Sequence, residues 1–176
     1  RFSPLRPALV GFGILTGNDV FRKANIGLLK GMGVAESLAL AREFVREFLG
    51  RKKIEQTHGL VREFQGKGFD VVICSSSIEP VVRAVAEELG IEEFYSAELE
   101  ISAGRLTGRL AHDPTGRKLE SLAKYRGNAR IELAVSDNLS DASLLRAAKR
   151  GIAVVHRADK RRFWKDLDLE LIDLTL

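Results

Sequence analysis

Two aspartates four residues apart, Asp137 and Asp141, sit in a polar turn between an apolar run at residues 131–135 and a helical pattern carried by Leu144, Leu145 and Ala148. The run has the length of a buried strand, and the pattern repeats at spacings of three and four. Gly151 reads as the left-handed cap of that helix, and residues 152–155 as a second buried strand. Strand, helix and strand in so short a stretch predict parallel pairing with a right-handed crossover. Ligands collect outside the carboxyl ends of such strands, which is where both acids fall. Two carboxylates there suit a hard cation held by few protein oxygens, and magnesium is the cation of that kind. Capping competes for Asp141, since its oxygen can accept a free backbone N–H at the helix start. Capping explains Asp137 less well, because an acid at the mouth of an apolar strand needs water or a cation.

A second group of the same chemical kind is Ser75, Ser76 and Ser77, which follow an apolar run at residues 69–74 and precede Glu79 and Pro80, a suitable first helical turn. Hydroxyls and N–H groups at a strand exit before a helix can hold a phosphate oxygen. Ordinary capping by Ser77 is the plainer account. A third is Lys118, in the first turn of a helix expected over residues 117–125. The macrodipole disfavours a cation there, so an anionic partner would explain it, whereas a solvated surface lysine would need no explanation. Exchanging Lys118 for Met keeps the stem and removes the charge, so the expected packing loss is small. Serines, lysine and aspartates would all fall on one edge of one sheet.

The elements that must position these residues follow a simple order. Helices are expected over residues 19–30, 35–49 and 54–65, the second with Leu38, Ala41, Val45, Phe48 and Leu49 on one face. Arg and Glu alternate on its other face, as expected of i, i+4 pairs in solvent. Residues 8–15 form an apolar patch whose type is ambiguous. From residue 69 onward strands alternate with helices, with a hairpin turn at Ser102-Ala103-Gly104 and Gly90 capping the helix before it. The whole predicts an α/β core with a helical appendage.

At 176 residues, 45% hydrophobic and 30% charged, the chain can bury one full core. One cysteine, Cys74, excludes a disulfide framework within the chain and points to a reducing, cytoplasmic setting. No apolar run approaches the roughly 20 residues that span a bilayer. A net charge of +4 invites nucleic acid as partner, with best local support from Lys160, Arg161, Arg162, Phe163 and Trp164, two aromatics that could stack on bases among basic residues. No nucleic-acid motif accompanies them, so this stays the lesser expectation.

The segments VVICSSSIEPVVRAVAEELGI, LEISAGRLTGRL, GRKLESLAKY and VSDNLSDASLL together resemble the phosphoserine-phosphatase-like branch of the haloacid dehalogenase-like superfamily, over about residues 36–155. The resemblance implies a three-layer, Rossmann-like parallel sheet with a small helical cap, residues 1–53 being cap and 54–176 core. It implies that Ser75 hydrogen-bonds the phosphoryl group, with Ser76 exchanging for it if the register shifts by one. Lys118 would neutralise phosphate and nucleophile, Asp137 would ligate magnesium, and Asp141 would hold a metal-bound water or orient Lys118. The implied activity is a magnesium-dependent phosphomonoester hydrolase acting through an aspartyl-phosphate, on a small phosphorylated metabolite. The pattern departs from the family in one place: the string Asp-x-Asp-x-Thr, whose first aspartate attacks phosphorus, is absent from the sequence. Its strand would be central, so the natural protein is expected to continue upstream of Arg1, and this chain alone to be inactive. A phosphate- or phosphosugar-binding domain without chemistry, in which residues 8–15 fill the gap, is the alternative. The cap offers no cluster matching a serine headgroup, and Asn25 stands where an arginine for its carboxylate is wanted.

Overall fold

The computed structural model describes residues 19–127 and 129–175. The apolar patch at residues 8–15 lies outside them. The chain divides into two compact units, one of Arg1–Ile54 and Phe64–Asp113, the other of Glu55–Glu63 and Pro114–Leu176. Among the described residues the sheets are two, each three-stranded.

The first unit begins with α1, Asp19–Gly27, and α2, Val34–Glu47, followed by a 3-10 turn at Leu49–Lys52. Helix α2 buries Ser37, Ala41 and Val45, close to the face that its periodicity predicts. Arg42 does not pair along its own helix as expected. It makes a two-pronged bond to Glu87 of another helix, Nε and Nη2 each 2.8 Å from a carboxylate oxygen. The C-terminal end of α3, Glu55–Gly66, leads into β1, Val72–Ile78. Phe69, expected inside that strand, is 43% exposed. Its N–H instead closes onto the Phe64 carbonyl and its ring packs tilted at 54° against Phe64, centroids 5.2 Å apart, so it belongs to the helix end. Helix α4, Glu79–Leu89, ends on Gly90 in the left-handed conformation, as its position predicts. Strands β2, Glu93–Ser102, and β3, Arg105–His112, form the expected antiparallel hairpin about Ala103 and Gly104. β1 pairs with β2 in parallel. One core gathers Ile26, Leu29, Met32, Ile78, Leu99 and Leu106, and a smaller one Ala41, Val45 and Ala84.

In the second unit α5, Lys118–Arg126, precedes β4, Leu133–Ser136, and α6, Ala142–Ala147, precedes β5, Arg150–Val155. Helix α7, Ala158–Lys165, then leads to β6, Glu170–Asp173. The strands pair in parallel in the order β4-β5-β6, the pairing that the strand–helix–strand pattern predicts. Their core holds Ala134, Leu145, Ala153, Val155 and Trp164. Trp164 is fully buried there, so it cannot stack on a base as the sequence suggested. Of the basic residues beside it, Arg161 pairs with Asp173, and Arg157 and Lys160 with Asp159. No helix among the described residues is long and apolar enough to cross a membrane.

Gly151 is not a helix cap. It lies inside β5, and Ala148 ends α6 in extended conformation. A Cβ on Gly151 would fall 2.4 Å from the Leu145 carbonyl oxygen and 2.8 Å from Leu169 Cδ2. The helix thus approaches the strand through a missing side chain. Gly151→Ala is expected to destabilise the protein by about 1–3 kcal/mol, the usual cost of overpacking. An unchanged denaturation midpoint would show that the backbone yields freely.

The chain's end is tied by charge. Asp173 accepts from Thr175 Oγ1 at 2.7 Å and from its N–H at 3.0 Å, and pairs with Arg161 Nε at 2.5 Å. The Thr175 hydroxyl, followed by Arg161, holds the Asp173 carboxyl down at about 2, below its ordinary 3.8. A carboxylate lowered on folding adds stability above its unfolded value and loses it as the proton returns. Acid unfolding between about pH 4 and about pH 2 should therefore be less steep in Asp173→Asn than in the wild type. Superimposable acid limbs would refute the linkage.

Candidate active site

The serine triplet lies within β1, at an irregularity. Cys74 pairs with Tyr95 and the next registered pair is Ile78 with Ala97, so four residues advance on β1 against two on β2. Such a bulge re-aims side chains and frees a stretch of strand from the ladder. Ser75 Oγ accepts the Ser77 N–H at 3.1 Å, which leaves its own hydrogen to donate. Ser76 Oγ is buried with no hydrogen-bond partner among the described residues. Ser77 caps nothing: Ile78 stands at the N-cap of α4, without a side-chain cap bond. Arg22 of α1, absent from the sequence reading, donates through Nη2 to the Ser76 carbonyl at 2.7 Å and pairs with Asp113. A helix outside the sheet therefore pins the serine bulge.

In the second unit, Lys118 is the first residue of α5. Its Nζ lies 2.5 Å from Asp141 Oδ2, with the two side chains 10% and 1% exposed. The anionic partner that its helical position calls for is thus Asp141. Asp141 in turn caps no helix by its side chain. Oδ2 also accepts the Ser136 hydroxyl at 2.7 Å, and the Ser140 hydroxyl lies 3.4 Å from Oδ1. Capping in this turn falls to Asn138, whose Oδ1 accepts the Ser140 N–H at 3.1 Å. A buried carboxylate is costly unless paired, so lysine and hydroxyl together are what allow Asp141 its place.

Asp137 differs in every respect. Its side chain is 61% exposed, and His156 Nε2 lies 3.4 Å from Oδ2. Each of the two is the first residue past its strand, β4 for Asp137 and β5 for His156. Among the described residues no group of three or more His, Cys, Asp or Glu is arranged to hold a metal unaided. An exposed carboxylate of this kind fits magnesium all the same, since that ion keeps several waters and takes one or two carboxylates together with substrate phosphate.

Of the expected site residues, then, Lys118 and Asp141 are brought into contact. Asp137 follows β4 with its carboxylate in solvent, and Ser75 and Ser76 belong to the first unit. Arg22, Ser136 and His156 escaped the sequence reading. Only His156 carried a usable signal, as a polar residue directly after a buried strand.

Asp137 thus stands solvated at the carboxyl end of a parallel strand, the edge of such sheets where ligands collect, and Asp141 is locked to a lysine in the turn that follows. The sequence matches the family model of haloacid dehalogenase-like hydrolases over residues 3–146, and the chain belongs to that family. It is 30% identical over 149 residues to a phosphoserine phosphatase of Archaeoglobus fulgidus, covering 79% of this chain and 41% of that protein. With a phosphoserine phosphatase of Methanocaldococcus jannaschii it shares 30% identity over 111 residues, 58% of this chain and 53% of that one. The chain therefore spans about half the length of these curated relatives. A solved structure of a protein with unknown function from Bordetella pertussis Tohama I matches with a TM-score of 0.76 at 20% identity, over 96% of this chain and 80% of that one.

Proposed function

We propose that the chain belongs to a magnesium-dependent phosphomonoester hydrolase whose nucleophile is an aspartate of the family's Asp-x-Asp-x-Thr strand, carrying the phosphoryl group as an aspartyl-phosphate. The observation that carries the reading is the Lys118–Asp141 pair: an ammonium fixed at 2.5 Å on a buried carboxylate, at the start of a helix. A lysine so held is a preorganised positive charge, the kind that stabilises phosphoryl transfer without moving. Family membership and the two phosphoserine phosphatases above support the substrate class, a small phosphorylated metabolite.

The roles follow from each residue's surroundings. The Ser75 hydroxyl donates to a phosphoryl oxygen, and the partnerless Ser76 hydroxyl is a second donor. Lys118 neutralises charge on the phosphate and the attacking aspartate. Asp137 would hold magnesium, which supplies charge neutralisation and polarises a phosphoryl oxygen when bound. Asp141, with Oδ2 committed to Lys118 and Ser136, orients the lysine in this reading and is not counted as a metal ligand. Residues 1–53 act as the cap and 54–176 as the catalytic core, and the reading assumes the reducing cytoplasm that one cysteine suits.

The test is release of phosphate from p-nitrophenyl phosphate by the full-length natural polypeptide. Turnover is expected with magnesium and none after EDTA. Absence of turnover at saturating magnesium would overturn the proposal.

A further inference from the structure

Ser136 ends β4, and the next residue is Asp137. Its hydroxyl makes two bonds of opposite sense. Oγ donates to Asp141 Oδ2 at 2.7 Å and accepts the Asn138 N–H at 3.1 Å. The first bond ends on the same oxygen that receives Lys118 Nζ. The second closes a tight turn over Asp137, the short local serine-to-backbone motif that competes with regular structure.

We propose that Ser136 is a positioning residue of the phosphatase site, a single hydroxyl that fixes the Lys118–Asp141 pair and the turn carrying Asp137 together. The inference rests on the roles given to Lys118 and Asp137 above. An ammonium facing a carboxylate can slide among several lone pairs. Here Oδ2 is approached by two donors at once, which leaves the lysine one place to stand. Asp141 is 1% exposed by its side chain, so bulk water cannot replace the serine as second donor. On the other side, Ser136 and Asn138 bracket Asp137, and their bond limits the backbone angles available to it. Alanine or glycine at this position would release both constraints. Threonine would keep the hydroxyl and both bonds.

The experiment compares Ser136→Ala and Ser136→Thr in the full-length protein, by two readouts. The first is steady-state hydrolysis of p-nitrophenyl phosphate with magnesium. Ser136→Ala should lose roughly 10- to 100-fold in kcat, in line with the cost of small misplacements, with KM within about twofold. Ser136→Thr should recover most of the loss. The second readout needs no turnover: the ¹⁵N–¹H correlation of the Lys118 ammonium, visible while the group is held in its pair. It should be present in the wild type and in Ser136→Thr, and lost in Ser136→Ala. If the wild type hydrolyses no phosphomonoester, the phosphatase reading fails and the ammonium signal alone judges Ser136. A Ser136→Ala protein that melts earlier yet keeps kcat and signal would make the serine merely structural and overturn the proposal. Equal impairment of Ser136→Ala and Ser136→Thr would also overturn it, by showing that space and not the hydroxyl matters.

Discussion

Lys118→Met is expected to cost the protein about 3–5 kcal/mol of stability, the usual penalty for removing one partner of a buried ion pair. Read from sequence, the same change looks mild, because methionine keeps the stem and a first-turn lysine is ordinarily solvated. The structure reverses that expectation: the lysine side chain is 10% exposed and the aspartate beneath it 1%. Methionine would leave the Asp141 carboxylate with hydroxyl donors and no cation. Urea denaturation measures the loss, and Lys118→Met/Asp141→Asn should restore most of it, since the stranded charge is then gone. Activity should not return in the double variant, because transition-state stabilisation of about 3 kcal/mol or more goes with the ammonium. A single variant with the wild-type midpoint would mean that Asp141 finds another partner or reaches water.

Asp137→Asn should divide the two properties the other way. The side chain is 61% exposed, so stability is expected to stay within about 0.5 kcal/mol, as for most surface substitutions. Turnover should fall by about 10²–10³ or more, as when one electrostatic group at a reacting centre is removed. Raising magnesium should not rescue it, because the asparagine oxygen carries no charge with which to compete for the ion. Melting curves and magnesium titrations of the full-length protein read the two arms. Wild-type turnover in this variant would take Asp137 out of the site.

Much of the fold is local information, and that part is legible in the chain. Gly90 ends α4 and Ala103-Gly104 turns the hairpin because backbone conformation there depends on residue type within a few positions. The α2 face and the parallel pairing of β4 with β5 follow from periodicity and connection length. What fails is what depends on a distant partner. Phe69 is apolar and adjoins a strand, yet its ring goes to Phe64. Gly151 follows a helix, and its reason for being glycine is Leu145 across a helix–strand contact. Trp164 sits among basic residues in the sequence and among aliphatic ones in space. At the site, residue types pointed to Lys118 and Asp141, and the family resemblance offered a contact between them as one of two alternatives for Asp141; in the fold the two lie 2.5 Å apart. Ser136 was passed over because a serine at a strand end is unremarkable until its two bonds are seen.

The mismatch in β1 can be put in lengths. Between the Cys74–Tyr95 and Ile78–Ala97 pairs, one strand spends four steps and its neighbour two. At about 3.3 Å per extended residue, about 13 Å of chain is taken up alongside about 7 Å. The surplus is slack, anchored at both ends by sheet pairing and therefore unable to travel along the strand. Slack of this kind lets the serine segment change composition while Val72, Ile73 and Ile78 keep their places, with Arg22 still holding the Ser76 carbonyl. A fully registered strand would have to transmit the same adjustment to β2 and, through it, to the hairpin.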